Sequence, residues 1–332
     1  MLECGYAALH DGGLDRTDLS GSLTGVFLGF AGSEFAQVLA ASPAGGSVYA
    51  ATGSASSIAA GRLSYALGLH GPCVSYDTAC SAALAACHAA LRALQLDECT
   101  AGLVAAVTLM LAPAIGTSFA IAGMTSARGR SHTFDARADG YARGEACGAA
   151  ALGGGEEVGD AAASVRGSAV RQDGRSASLT APNGQAQQGL LRSALADAGI
   201  TSDGLMLNEA HGTGTALGDP IEAGSLAAAV LAEQRPGGAV VCGSIKANLG
   251  HGESTAGVSG LLRLALGLVS GEAPPNAQLR ALNPHVRSAT RGKPSVMPCH
   301  VTRGSMAVDA QQKRSGGVSS FGYSGTIAHV VL

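Results

Sequence analysis

Residues 75–91 read SYDTACSAALAACHAAL, and this stretch decides how the rest of the chain is parsed. A β-type run, CVSYDTA (73–79), passes directly into SAALAACHAALRAL, an alanine-rich helical pattern over about 81–95. A cysteine stands at the junction. If Cys80 opens that helix, its sulfur sits at the positive end of the macrodipole beside unpaired backbone N–H groups, which favours thiolate. The small neighbours Ser81, Ala82 and Ala83 leave room for a substrate. Taken alone, Cys80 also fits a small buried hydrophobe, the usual fate of a free cysteine.

Outward from this junction the same alternation continues. GVFLGF (25–30) and GLVAAVTLML (102–111) read as buried strands, with a helix over 55–68 between the first strand and residue 73. The second part repeats the theme. It offers SVRGSAVR (164–171), a helix over about 183–198, LMLNEA (205–210), a helix after Asp219-Pro220, AVVCGSIK (239–246) and a helix over 254–270. Strand-helix-strand order implies a largely parallel, covered sheet, and its repetition suggests two similar halves. Their boundary falls in the polar, glycine-bearing SARGRSHTFDARADG, near Ala127 to Arg130.

Bulk properties set the limits. A chain of 332 residues that is 46% hydrophobic can bury a large core. A formal net charge of -3 with 14% charged residues leaves no basic stripe for nucleic acid and no polybasic run for anionic lipid. Eight dispersed cysteines form no C-x-x-C pair and no zinc-finger spacing, which points to a reduced intracellular, cytoplasmic setting, an organelle such as the plastid also being compatible. The opening MLECGYAALHDGG carries an early acid and no basic-then-apolar leader. Residues 100–124 are uncharged and long enough for a membrane span, but Pro113, Gly116, Thr117 and Ser118 interrupt them, so a buried strand plus an apolar loop is expected instead.

Two further motifs carry chemistry. In NEAHGTGTALGDPIEA (208–223), His211 ends an expected strand and faces a glycine-threonine loop before a helix with Pro220 in its first turn. A structural hydrogen-bonding role fits an isolated histidine there equally well. The spacing is not G-x-G-x-x-G, so a dinucleotide fingerprint fits poorly. In GSIKANLGHGESTAG (243–257), Lys246 closes an expected strand and His251 follows five residues later. Ser324 in GYSGT does not make a nucleophile elbow, because Thr326 replaces the second glycine.

Together these segments resemble the active-site signatures of β-ketoacyl synthases, most of all the ketosynthase domains of type I polyketide synthases. The matching blocks are DTACS, EAHGTGT and K-x-N-x-G-H, with TGVFLGF, DARADGYARGEACG, GSAVRQDGRSASLTAPNGQAQ and GGVSSFGYSGTIAHVVL in family order. The resemblance implies an α/β, thiolase-like fold of two pseudo-duplicated βα halves in α/β/α/β/α layers, the first N-terminal elements missing. Residues 1–127 would form the partial first half with Cys80, and 128–332 the second with His211 and His251.

It implies a Cys80, His211, His251 triad, a buried Lys246–Glu222 pair ordering the site together with Asn248, an oxyanion hole from the backbone N–H groups of Cys80 and Tyr323, and pantetheine contacts from Thr213 and Thr215. The implied reaction is decarboxylative Claisen condensation of an acyl-cysteine with a malonyl-type extender on acyl carrier protein, in polyketide or fatty-acid biosynthesis. No metal or redox cofactor is called for, and the phosphopantetheine arrives on the carrier. A homodimer, and other polyketide synthase domains as partners, belong to the same expectation. A noncatalytic chain-length-factor type would lose the cysteine, and a thiolase-type acyltransferase would carry a second, C-terminal cysteine that SSFGYSGTIAH lacks. Departures from the common pattern are Ala82, Ala83, Ala247, Tyr323 and Ile327, the last standing where an asparagine makes polar contacts.

Overall fold

In this computed structural model, residues 1–154, 161–231, 238–306 and 314–332 are described. The chain separates into two compact units: Met1–Phe119 with Gly144–Ala161 and Glu253–Val258, and Ala120–Arg143 with Ala162–Gly252 and Ser259–Leu332.

The first unit is built on β1 (Thr24–Gly29), β2 (Cys73–Tyr76), β3 (Ala101–Thr108) and β4 (Ala146–Gly153), in sheet order β2-β1-β3-β4. β1 runs parallel to both neighbours, with Val26 beside Cys73 and Leu103, and β4 returns antiparallel with Ala150 beside Val104. The period-2 alternation of a strand sorts the side chains. Val26, Leu28, Leu103 and Ala105 join Leu9 of α1 (Leu2–Asp11) and Leu63 of α2 (Ser56–Leu67) in one apolar cluster. On the other face, Ala106 meets Ala83 of α3 (Ala82–Gln95) and Val258.

Alanine-rich α3 lets backbones approach closely. A Cβ on Gly29, at the end of β1, would stand 2.7 Å from the Ala83 nitrogen and 2.8 Å from its Cα. One on Gly257 would stand 2.8 Å from Leu84 Cγ. The uncharged run after residue 100 resolves into β3, an irregular stretch and α4 (Pro113–Ile121). Among the described residues no helix is long and apolar enough to cross a membrane.

The second unit carries β5 (Gly167–Gln172), β6 (Leu207–Glu209), β7 (Val240–Gly243), β8 (Ser295–Val296), β9 (Gly316–Phe321) and β10 (Thr326–Val331), in order β5-β10-β9-β6-β7-β8. Its helices include α5 (Gly184–Asp197), α6 (Gly218–Ala229), α7 (Lys246–Leu249) and α8 (Ala256–Ser270), whose first residues belong to the first unit. The Asn183 side chain caps α5 by accepting from the N–H groups of Gln185 and Ala186. Leu190, Leu195, Leu226, Val240, Ile327 and Val331 fill the apolar cluster against this sheet.

The duplication read from the alternating pattern holds at the level of topology. The series β7-β6-β9-β10 repeats β2-β1-β3-β4: two parallel neighbours flank a third strand, and an antiparallel strand follows. The second sheet adds β5 antiparallel to β10, whereas β4 has no strand on its far side among the described residues. Two local expectations need correction. β7 ends at Gly243, so Lys246 opens the short helix α7 instead of closing a strand. Ile327 is fully buried in the apolar cluster, where the lack of a polar group is an advantage.

A Gly29→Ala change forces a backbone-to-backbone clash and is expected to destabilise the protein by about 1–3 kcal/mol. A Gly61→Ala change in α2, where a Cβ meets open space, is expected to stabilise by about 0.5–1 kcal/mol. Denaturant midpoints moving in the same direction for both would contradict this packing.

Candidate active site

Cys80 lies in the first unit, in the single 3-10 turn Ala79–Ser81 between β2 and α3. It therefore precedes the first residue of α3 by two positions, instead of opening the helix itself. Two local bonds tighten the turn. Ser81 Oγ donates to the Thr78 carbonyl at 2.8 Å, and the Ala79 N–H donates to Asp77 Oδ1 at 3.3 Å. Ala79 adopts φ 54°, a left-handed conformation that an alanine occupies only when its surroundings impose it. The half-buried cysteine is thus held at the end of the sheet from which the N–H groups of α3 point outward.

The second unit brings His211 and His251 together. Their ring centroids are 5.6 Å apart and nearly perpendicular, at 87°. His211 stands two residues beyond β6, on a turn pinned from below by α6. Glu222 accepts from the His211 N–H at 2.7 Å with one oxygen and from the Gly212 N–H at 2.8 Å with the other. Asp219, three residues earlier and so on the same helix face, accepts from the N–H groups of Gly214 and Phe134 at 3.1 and 2.7 Å. The turn also requires glycine: Gly212 has φ 44°, and a Cβ there would stand 2.7 Å from Ser244 Cβ. Thr213 and Thr215 lie on the same loop, and their hydroxyls meet at 3.4 Å.

His251 is completely buried. Its N–H donates to the Ala142 carbonyl at 2.7 Å, and Tyr141 packs edge-on against its ring at 4.9 Å between centroids. The Lys246 segment is held in a similar way. Glu209 accepts from the Ile245 N–H at 2.7 Å and pairs with Arg263 in the interior. Asn248 is exposed and donates to the Pro275 carbonyl at 3.1 Å. Tyr323 lies in the turn between β9 and β10 and is 44% exposed. Among the described residues, no group of three or more His, Cys, Asp or Glu side chains is placed to hold a metal ion.

The electrostatics follow from burial around one ammonium. Lys246 is 2% exposed. Burial first, and then the Lys246 charge, hold both imidazoles well below the ordinary histidine range, with His251 adding to the effect on His211. Burial pushes Glu222 up to about 7 and Asp219 to about 6, against the opposing pull of the backbone N–H donors and Lys246. The imidazoles are accordingly neutral at neutral pH. The Phe321 N–H donates to His211 Nδ1 at 3.2 Å. That nitrogen must then be the acceptor, which leaves the hydrogen on Nε2 and makes His211 a donor at its outer edge.

Asp219 and Phe321 are the site residues that motif reading passed over. Asp219 was legible only as the acid of an Asp-Pro helix start. Phe321 contributes through its backbone, which no side-chain pattern reveals.

Repeated sheet order with an imidazole pair beside a glycine-threonine loop defines a thiolase-like α/β protein, and solved structures agree. A ketosynthase from module 6 of the bacillaene synthase of Bacillus subtilis 168 superposes with a TM-score of 0.89 at 32% identity, over 99% of this chain and 57% of that one. The oxazolomycin ketosynthase domain of Streptomyces albus JA3453 gives 0.90 at 32% identity, over 99% and 58%.

Residues 1–157 match the family model for the N-terminal domain of β-ketoacyl synthase, and residues 162–280 the model for its C-terminal domain. The chain belongs to the β-ketoacyl synthase family. It is 40% identical along its whole length to the spectinabilin polyketide synthase system protein NorC of Streptomyces orinoci, and 40% identical to a phenolphthiocerol/phthiocerol polyketide synthase protein of Mycobacterium tuberculosis. It spans only 15% and 21% of those two proteins.

Because the folded rings bind protons less readily than free histidine, acidification toward the ordinary histidine range costs stability without charging them in the native state. NMR titration of the His211 and His251 ring protons should show no ionisation between pH 8 and about pH 6.5, the ordinary histidine value. A midpoint at or above that value for either ring would refute the neutral pair.

Proposed function

We propose that this chain performs the ketosynthase step of polyketide assembly, as an acyltransferase of the 3-oxoacyl-[acyl-carrier-protein] synthase type. The observation that carries this reading is the neutral imidazole pair, with its forced Nε2–H donor on His211, on the glycine-threonine loop of a β-ketoacyl synthase family member that retains Cys80.

In this reading residues 1–127 supply the nucleophile and residues 128–332 the two donors. The Cys80 thiolate attacks the carbonyl of an acyl thioester on acyl carrier protein, and the carrier thiolate leaves. The backbone N–H groups of Cys80 and Tyr323 hold the oxyanion that forms. A malonyl-type carrier thioester then enters, its phosphopantetheine arm passing Thr213 and Thr215. As CO2 departs, the electron pair of the breaking bond moves into the thioester, and its oxygen becomes an enolate stabilised by N–H donation from His211 and His251. The enolate carbon attacks the acyl-Cys80 carbonyl, the sulfur leaves as thiolate, and a 3-oxoacyl thioester remains on the carrier. Lys246 and Glu222 act as positioning residues, with Asn248 on the same short helix as Lys246. Loss of CO2 drives the condensation, so the reading calls for no metal or redox cofactor.

Partners follow from the same chemistry: acyl carrier protein, other polyketide synthase domains, and a second copy of the chain. The outer edge of β2 supports a homodimer, because Cys73 and Val74 are exposed there and no strand covers it among the described residues. An intracellular, cytoplasmic setting fits the free cysteines.

The test uses radiolabelled acyl-carrier thioester and malonyl-carrier protein. Label is expected on Cys80 and disappears in Cys80→Ala. His251→Ala should still take up label while its CO2 release falls about 100-fold or more. Acylation that survives Cys80→Ala, or decarboxylation indifferent to His251, would overturn the reading.

A further inference from the structure

Two turns of the first unit are built alike and lie against each other. Cys80 is the middle residue of the 3-10 turn Ala79–Ser81, which leads into α3, and Ser254 is the middle residue of the 3-10 turn Glu253–Thr255, which leads into α8. β7 holds in the second sheet the place that β2 holds in the first, and the chain leaves each of these strands toward one of the two turns. Ser254 thus stands in the second repeat where Cys80 stands in the first. The likeness extends to the backbone. Each turn opens on a non-glycine residue in the left-handed region, Ala79 at φ 54° and Glu253 at φ 49°, a conformation that the surroundings must impose. Residues 253–258 belong to the same compact unit as Cys80, and Cα atoms of the two turns approach within 8 Å.

A pair of buried hydroxyls holds the second turn. Ser254 is fully buried, and its Oγ donates to the Val107 carbonyl at 2.8 Å. A hydroxyl has one hydrogen, so at the 2.8 Å contact between Ser254 Oγ and Thr108 Oγ1 the threonine is the donor. Val107 and Thr108 are the last two residues of β3, so the turn is pinned to the end of the sheet. Two residues past the turn, Gly257 brings the start of α8 onto α3, where a Cβ would stand 3.0 Å from the Leu84 nitrogen. The Cys80 turn and the first residues of α3 therefore rest on a surface whose place is set by Thr108 and Ser254. Ser254 is no second nucleophile, being fully buried with its proton engaged.

We propose that Thr108 and Ser254 are positioning residues for the Cys80 nucleophile. Their hydroxyl chain fixes the turn against which the Cys80 turn is held, and so fixes the sulfur at the N-terminal end of α3. Removing either hydroxyl leaves a buried oxygen short of its partner, and the turn shifts to find another. A misplacement of about 1 Å at reacting atoms can cost about 100-fold in rate. For acyl transfer this role rests on the ketosynthase reading; the placement of the sulfur does not, since a small electrophile reports it as well.

Thr108→Val keeps the shape of the side chain and loses the hydroxyl, Thr108→Ser keeps the hydroxyl and loses a methyl, and Ser254→Ala breaks the chain at its centre. Two rates are measured on folded protein: alkylation of Cys80 by iodoacetamide, located by peptide mapping, and acyl uptake onto Cys80 from an acyl-carrier thioester. In Thr108→Val and Ser254→Ala both are expected to fall about 10-fold or more, the second in kcat with KM unchanged. Thr108→Ser should retain the parent rates. Either hydroxyl deletion suffices should the other fail to fold. Parent rates in the hydroxyl deletions would overturn the proposal, as would a loss in Thr108→Ser equal to that in Thr108→Val, which points to packing alone. A parent protein that alkylates at Cys80 yet takes up no acyl group counts against the ketosynthase reading instead, and the alkylation rates of the variants still decide the positioning role.

Discussion

Glu222 sets its carboxylate beneath the turn that carries His211 and takes both of that turn's first N–H groups. Each buried bond to a charged acceptor contributes about 1.5–3 kcal/mol net, while a carboxylate left without donors at this depth would cost more than that to desolvate. Asp219 repeats the device one helical turn earlier, gripping Gly214 and, from another segment, Phe134. A strand end, a glycine-threonine loop and a distant chain segment are therefore registered on one face of α6. His251, the Lys246 segment and the Phe321 N–H complete a constellation whose ring positions leave little freedom.

Charge and packing act together around Lys246. Its buried ammonium opposes the upward push of burial on Glu209, Asp219 and Glu222, and it adds to burial, the larger cause, in keeping the two imidazoles from taking up protons. A buried ion cluster of this kind is weak evidence for stability in itself, because desolvation offsets much of the attraction. What it secures here is protonation state: two imidazoles that stay neutral at neutral pH.

Much of this was legible in the chain. The strand-helix alternation foretold the repeated sheet order, and the segments around Cys80, His211 and His251 identified the family. Features decided by partners remote in sequence were not. Lys246 opens a helix because the Ser244 N–H donates to Asn276 Oδ1 and the Ile245 N–H to Glu209, contacts that bend the chain just past β7. β5 pairs at the sheet edge with β10, with Ala169 beside His329, a partner no local pattern points to. The tautomer of His211 depends on one backbone N–H at Phe321. Ile327 looked like a lost polar contact by comparison with the family, yet its side chain is buried in an apolar cluster with Leu190, Leu195 and Val331.

The central claim is that the Cys80 sulfur and the two imidazoles serve one thioester. A crystal structure of the protein carrying an acyl group on Cys80, with a non-hydrolysable malonyl-pantetheine analogue bound, tests it most directly. The expected result places the analogue's thioester oxygen within hydrogen-bond distance, about 2.7–3.2 Å, of both His211 Nε2 and a His251 ring nitrogen, with its nucleophilic carbon facing the acyl-Cys80 carbonyl. An analogue bound away from either ring, or an acyl group directed into a cavity that neither imidazole borders, would contradict it.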